Sequence, residues 1–322
     1  MSRLLPSSTE IREAADRLRG VAVRTPLRRS NALSALVGGD VYLKLESEQL
    51  TGSFKLRGAF NALSLLSPDE RVCGVVASSA GNHGLGVAEA AQRLGITATI
   101  FVPSNAPAVK KNGIAQRGAR VFDEARDYDD AMVRARAFAS ETGATFVHPC
   151  LGVPLLAGQG TVASEVVEEL PSLQTFLVCV GGAGLLGGTG AFMLSEAPHV
   201  RVVGVQSERT DAMARALEAG HVVEIANLPT LADGLAGQID DDALAIGQAT
   251  LESIMTVTED EIASAIAWLW LAEGIRAEGS GAVCVAALRT GRLGHLPTPI
   301  VAIISGGNLD ESRLQGILAS AQ

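Results

Sequence analysis

Lysine is scarce in this chain. Of 26 basic residues only Lys44, Lys55, Lys110 and Lys111 are lysines, so a lysine in an unusual setting carries information. Lys55 sits in Leu50-Thr51-Gly52-Ser53-Phe54-Lys55-Leu56-Arg57-Gly58-Ala59, between two apolar residues and just inside the start of an expected helix. A helix N-terminus and an apolar setting both disfavour an ammonium ion, which leaves the neutral amine that Schiff-base chemistry needs. A surface lysine lying along its own stem would read the same way over so short a window. Ser53-Phe54-Lys55 is one residue short of the SxxK of penicillin-binding enzymes, which excludes that chemistry.

Three further segments bring small residues to the ends of apolar runs. Gly182-Ala183-Gly184-Leu185-Leu186-Gly187 opens a helical stretch, where bare backbone N–H groups and the helix dipole favour an anion such as a phosphate. The same letters spell GxGxxG, and Glu208 ends the next strand, so a dinucleotide site or a plain tight turn fits them too. Ser78-Ser79-Ala80-Gly81-Asn82-His83-Gly84 lies between a strand and a helix and offers either a carboxylate cradle or an ordinary capping turn. His83 by itself reads as a structural histidine. Ser305-Gly306-Gly307-Asn308 follows the last strand, at the end where α/β folds place ligands, and a simple turn is the alternative.

The elements that must position these segments alternate along the chain. Ser7 to Glu10 reads as a capping box opening a helix to about Arg19. Strands are expected at 41–46, 72–77, 97–102, 119–122, 175–180, 201–206 and 299–304. Helices are expected at 55–66, 82–94, 107–117, 128–142, 161–170, 184–195, 259–273 and 281–288. Unbroken Val, Ile and Ala runs mark strands buried on both faces, which is how parallel sheets covered by helices read. The expectation is an α/β protein with open parallel sheets. Residues 148–154, rich in turn formers, are the best boundary between two blocks of such elements.

Composition narrows the class. The 322 residues are 47% hydrophobic, enough for a large core, and carry a net charge of −9, which disfavours nucleic acid and anionic membrane as partners. No apolar stretch reaches the roughly 18 residues of a membrane span. Met1 to Arg12 carries early charges and no apolar core, so no secretory signal is expected. Cys73, Cys150, Cys179 and Cys284 are widely spaced. Cys73, Cys179 and Cys284 lie in strand-like runs, as small core residues would, and neither a disulfide framework nor a zinc site is expected. A cytoplasmic setting follows.

Taken together, the motifs resemble fold-type II pyridoxal-phosphate enzymes, the tryptophan synthase β-like fold, in the threonine/serine dehydratase and serine racemase group. The resemblance runs nearly end to end: Lys44-Leu45-Glu46, Ser53 to Ala59, Ser79 to His83, Ala157 to Thr161, Gly181 to Gly188, Ala232-Asp233-Gly234, Thr256 to Glu261 and Ser305 to Asn308. It implies two open, mostly parallel sheets with helices on both faces. Residues 1–73 and 147–322 would form a large cofactor-binding domain, and 74–146 a small mobile one. Pyridoxal 5'-phosphate would be bound by Phe54, Lys55, Asn82, Gly181, Gly182, Ala183, Gly184, Leu185 and Ser305. Lys55 would be both the imine-forming lysine and the base at Cα. Asn82 would bond the ring hydroxyl and Ser305 the pyridine nitrogen, while Ser79, Ala80, Gly81, Asn82 and His83 would hold the substrate carboxylate.

The implied reaction is loss of water and then ammonia from a small-molecule substrate, a β-hydroxy amino acid such as L-threonine or L-serine. A bulkier or modified substrate (a phenylserine or hydroxyaspartate), a serine racemase, an NAD-dependent oxidoreductase and a non-catalytic binding protein are the alternatives. A homo-oligomer, a dimer at its simplest, is also implied. Three features bear on the alternatives. Gln206 and Ala212 stand where racemase-like members carry acidic metal ligands, so no divalent metal site is expected. Ala80 stands where serine racemases carry the serine that reprotonates Cα, which favours elimination. The loop reads Gly-Gly-Ala-Gly where many members have four glycines, which is harmless only if Ala183 avoids positive φ. The chain also ends soon after the catalytic region, with no room expected for a feedback-binding domain.

Overall fold

Ser7 and Glu10 form the expected capping box, and the helix Ser8–Leu18 starts from it. The computed structural model describes residues 3–226 and 228–320. Its strands are β1 (Leu27–Arg29), β2 (Val41–Leu45), β3 (Val75–Ser78), β4 (Ala98–Pro103), β5 (Arg120–Ala125), β6 (Thr145–Phe146), β7 (Thr175–Cys179), β8 (Arg201–Ser207), β9 (Ser253–Val257) and β10 (Ile300–Ile304). They form a six-stranded sheet, β1-β2-β10-β7-β8-β9, and a four-stranded sheet, β5-β4-β3-β6. Every pairing is parallel except that of edge strand β1 with β2. The expected α/β architecture with two mostly parallel sheets is what the chain adopts.

Central strands were legible because both faces are covered: β3, β7 and β10 are buried at every residue. Several expectations need correction. The strand expected at 72–77 starts only at Val75, because Ser67-Pro68 and Glu70 cap a helix, Pro68–Cys73, across its first half. A capping box with proline in the first turn outweighs the β-propensity of Val72 and Cys73. Both are exposed, so Cys73 is not a core residue. Cys284 is fully buried but lies in the helix Gly279–Thr290 rather than in a strand. The strand expected at 119–122 runs on to Ala125.

The helix expected from Thr161 begins eight residues earlier, at Val153, with Pro154 in its first turn. Its glycines serve contact between helices. A Cβ on Gly158 would lie 2.4 Å from the Arg57 carbonyl oxygen, and one on Gly188 2.2 Å from that of Leu156. Three helices thus meet backbone to backbone: Lys55–Ser64, Val153–Glu169 and Gly184–Glu196. Such close approach is a tertiary fact with no local signature.

The same helices enclose a buried ion network. Arg57, 1% exposed, donates to both oxygens of the fully buried Glu46 and to Glu165, while Lys44 donates to Glu165 at 2.6 Å and to the Thr25 carbonyl. Burial alone would raise the Glu165 pKa, but Arg57 and Lys44 together hold it below the usual carboxylate range. Lys44 and Arg57 therefore anchor the start of the Lys55–Ser64 helix to β2 and to the Val153–Glu169 helix.

Candidate active site

Lys55 is the first residue of its helix, and Nζ donates to the Pro149 carbonyl at 2.7 Å. The backbone around it is tied to the end of β10: the Phe54 amide donates to the Ser305 carbonyl, Ser53 bridges Gly306, and the Gly307 amide donates to Gly52. The helix Asn82–Leu94 lies directly on this start, where a Cβ on Gly86 would be 3.1 Å from the Leu56 nitrogen. Three of the four segments are thereby brought together by main-chain contacts.

The glycine loop joins them through Cys150. Gly181, Gly182 and Ala183 link β7 to the helix Gly184–Glu196. A Cβ on Gly182 would lie 2.8 Å from Cys150 Sγ, and one on Gly184 3.0 Å from Cys150 Cα, so Cys150 packs tightly on the loop at both. Cys150 follows Pro149, the residue that holds Lys55. Among the described residues no backbone acceptor is found for the amides of Gly181 to Leu185. Unclaimed amides at a helix N-terminus, in a cleft that side chains would fill, suit the phosphate of a cofactor. Ala183 departs from expectation: its φ is 64°, in the left-handed region, which costs roughly 1–2 kcal/mol for a residue with a Cβ. The surrounding turn holds it there.

Asn82 is fixed at both ends. Its Nδ2 donates to Glu278 at 2.6 Å, and its Oδ1 accepts from Asn308 Nδ2 at 2.7 Å. One amide hydrogen remains for a cofactor hydroxyl. The Ser305 hydroxyl has a 3.3 Å contact to the Ser280 carbonyl, and among the described residues the buried Ser280 hydroxyl has no partner. Behind Ser305 lies Cys179, whose thiol burial pushes up to about 11. In the Ser79–His83 segment, the Ser79 amide is taken by the Phe101 carbonyl and the Gly81 amide by Ser79 Oγ. The amides of Ala80, Asn82 and His83 are left to meet a carboxylate, fewer than the full run. His83 is buried and donates from Nε2 to the Val147 carbonyl at 3.0 Å; burial and Lys55 lower its pKa to about 3, so it is a neutral structural group.

Glu278 went unnoticed in the sequence. It is buried, caps the helix Gly279–Thr290, and faces Asn82. Burial first, then the nearby Asp233, raises its pKa to about 7, against the Asn82 hydrogen bond. A carboxylate heading the Gly279-Ser280-Gly281 run was the available signal. The pair Gln206 and Ala212 behaves differently from a metal site: the Gln206 amide donates to the Val180 and Thr210 carbonyls and accepts from the Ala214 amide.

Fold and cleft thus set a lysine amine near a glycine loop at a helix N-terminus, an arrangement suited to an α/β enzyme with a phosphate-bearing cofactor. Residues 18–306 match the pyridoxal-phosphate dependent enzyme family, and the chain belongs to it. It is 42% identical over 310 residues to an L-threonine ammonia-lyase of Thermotoga maritima, spanning 96% of this chain and 77% of that one. Among solved structures it superposes on maize serine racemase with a TM-score of 0.93 at 30% identity, covering 98% of each chain. It superposes on processed threonine deaminase isoform 2 of Solanum lycopersicum with a TM-score of 0.90 at 32% identity, covering 98% of this chain and 91% of that one. Among the described residues no helix is long and apolar enough to cross a membrane.

Proposed function

We propose that this enzyme eliminates water from a β-hydroxy amino acid of the threonine and serine class and that water is taken up again as the product is hydrolysed, for a net conversion to a 2-oxo acid and ammonia. The observation that carries the reading is the docking of Lys55 on Pro149, one residue from Cys150, which itself lies against the glycine loop. The relatives named for threonine support the substrate class. Pyridoxal phosphate, when bound, supplies the covalent handle and the electron sink for the charge left at Cα. Gly181, Gly182, Ala183, Gly184 and Leu185 would take its phosphate, Phe54 would pack beside it, Asn82 would bond its ring hydroxyl and Ser305 its ring nitrogen. Serine, being neutral, leaves that nitrogen less positive than a carboxylate would, so charge at Cα is relieved by expelling the β-hydroxyl. Lys55 takes the Cα proton, the Cβ–O bond breaks, and water leaves. The resulting enamine is hydrolysed to 2-oxo acid and ammonia. Free amides of Ala80, Asn82 and His83, with the rest of the Ser79–His83 turn, would orient the substrate carboxylate.

The same reading makes residues 74–146 a small domain closing over the larger remainder, 1–73 and 147–322. All four strands of the second sheet fall between Val75 and Phe146, which supports it. A dimer in a reducing, cytoplasmic setting belongs to the reading as well. The exposed Trp270 and Leu271 and four free thiols support it, and light scattering and cell fractionation test it. For the chemistry, Lys55→Ala should abolish 2-oxo acid formation and the borohydride-reducible visible band together, whereas Lys111→Ala should keep both. A reducible, protein-bound cofactor surviving in Lys55→Ala sinks the assignment.

The likeness to maize serine racemase favours racemisation as a second reading. Ala80 argues against it, because it has no exchangeable proton to return to Cα from the face opposite Lys55. Chiral analysis of L-serine turnover should show pyruvate with D-serine at trace level. Ala80→Ser should raise the D-serine share. Comparable D-serine and pyruvate from the unmodified enzyme would select the racemase.

A further inference from the structure

Lys55 Nζ rests on a carbonyl that is itself held from the other side. The Cys150 and Leu151 amides both donate to Nδ1 of His148, at 3.1 and 2.9 Å. Nδ1 can accept two amides only if it carries no proton, so the neutral ring bears its hydrogen on Nε2. The Pro149 carbonyl and the Cys150 amide belong to one planar peptide unit, whose C=O and N–H point in opposite directions. Gripping the Cys150 N–H therefore aims the Pro149 oxygen, and that oxygen accepts from Lys55 Nζ at 2.7 Å. Upstream, the Val147 amide donates to the Val76 carbonyl and the Val147 carbonyl accepts from His83, so the turn is pinned where it begins.

We propose that His148 is a positioning residue for Lys55: its neutral imidazole folds the 149–151 turn, and the Pro149 carbonyl of that turn docks the lysine amine. The inference rests on the role assigned to Lys55 above. A lysine has four rotatable side-chain bonds, and a free amine would lose its place whenever it is not covalently engaged. Donating one hydrogen to Pro149 holds the Lys55 nitrogen in the cleft. Burial, then Arg136, lower the His148 pKa, with Asp240 opposing and Lys55 adding to the lowering. His83, whose ring also lies near, is neutral. The acceptor form is therefore the one present at neutral pH.

The test compares His148→Asn, whose Oδ1 can accept where Nδ1 does, with His148→Leu and His148→Ala, which have no acceptor. In the holoenzymes, the Leu and Ala variants should lose about 3- to 10-fold in kcat, the worth of one hydrogen bond, with KM within about 2-fold and the visible cofactor band intact. His148→Asn should stay within about 2-fold of the unmodified enzyme and lose the part of the acid-side decline in kcat that belongs to the imidazole. Nitrogen-15 spectra of the His148 ring, with and without cofactor, should show an unprotonated Nδ1 and a protonated Nε2. An Nδ1–H tautomer, equal impairment of the Asn and Leu variants, unchanged kcat in the Ala variant, or a change in KM alone would overturn the proposal. Borohydride trapping on Lys55 in the unmodified enzyme separates that failure from a failure of the lysine assignment.

Discussion

Glu278 is the residue whose chemistry is most displaced by its surroundings. It is buried beside Asn82, with a pKa of about 7 set by burial and by Asp233. An unfolded glutamate titrates near 4.3, so between about pH 4.5 and 7 the folded chain keeps a proton that the unfolded chain has lost. Stability attributable to this group therefore falls as pH rises through that window and is flat above it. Glu278→Gln keeps the acceptor for Asn82 and removes the charge. It should match the unmodified chain at pH 5 and exceed it by roughly 2–3 kcal/mol at pH 8, read by urea unfolding. Equal stability at both pH values would show that the carboxyl is not titrating in this range. Ala183 displays the opposite bargain, a strained backbone retained in the loop proposed to take the cofactor phosphate.

At the scale of elements, the lysine helix is placed by charge as much as by packing. Arg57 neutralises two carboxylates, Glu46 and Glu165, in a region closed to water, and Glu165 also pairs with Lys44. Removing one partner of such a set leaves an uncompensated buried charge. Arg57→Ala should cost about 3–5 kcal/mol at pH 7. The sign with pH follows from Glu165, whose lowered pKa makes its contribution present at neutral pH and lost on acidification. The gap between Arg57→Ala and the unmodified chain should accordingly narrow toward pH 4, when the orphaned carboxylates can protonate. A gap independent of pH would mean that lost packing, not lost charge, is the cause.

Across the whole molecule, the second sheet reaches the first through few polar links. Asn82 meets Glu278 and Asn308, and Lys110 faces Asp233 at 3.5 Å across the cleft. Asp233 opens the short turn Asp233–Leu235, and Leu235 packs on Gly181 of the glycine loop. Because both partners are partly exposed, the pair is worth at most about 1 kcal/mol and is weakened by salt. If it favours the closed cleft, Lys110→Met should raise KM by about 2- to 5-fold at low salt, with less effect on kcat. That increase should shrink at about 1 M salt. A KM unchanged at low salt would remove the pair from any part in closure.

How much of this could be read from the chain depends on whether local residues carry the cause. The buried central strands and the capped helix at Ser7 are local, and they were legible. Together with the resemblance they led to the fold class and the cofactor. Edge strands β1, β6 and β9 were missed, as were the helices Asn31–Val37, Ala212–Ala219, Asp241–Thr250 and Glu311–Ser320. The residues of β1, β6 and β9 are at most partly buried except Val257, so their hydrophobic pattern is weak. What only the tertiary structure decided concerns groups far apart in sequence: Lys55 on Pro149, Asn82 between Glu278 and Asn308, and Arg57 between Glu46 and Glu165. It also decided the positive φ of Ala183, which the turn into the helix Gly184–Glu196 carries. A residue type announces what chemistry it can do; its hydrogen-bond partner, and hence its charge and direction, comes from chain segments that folding alone brings near.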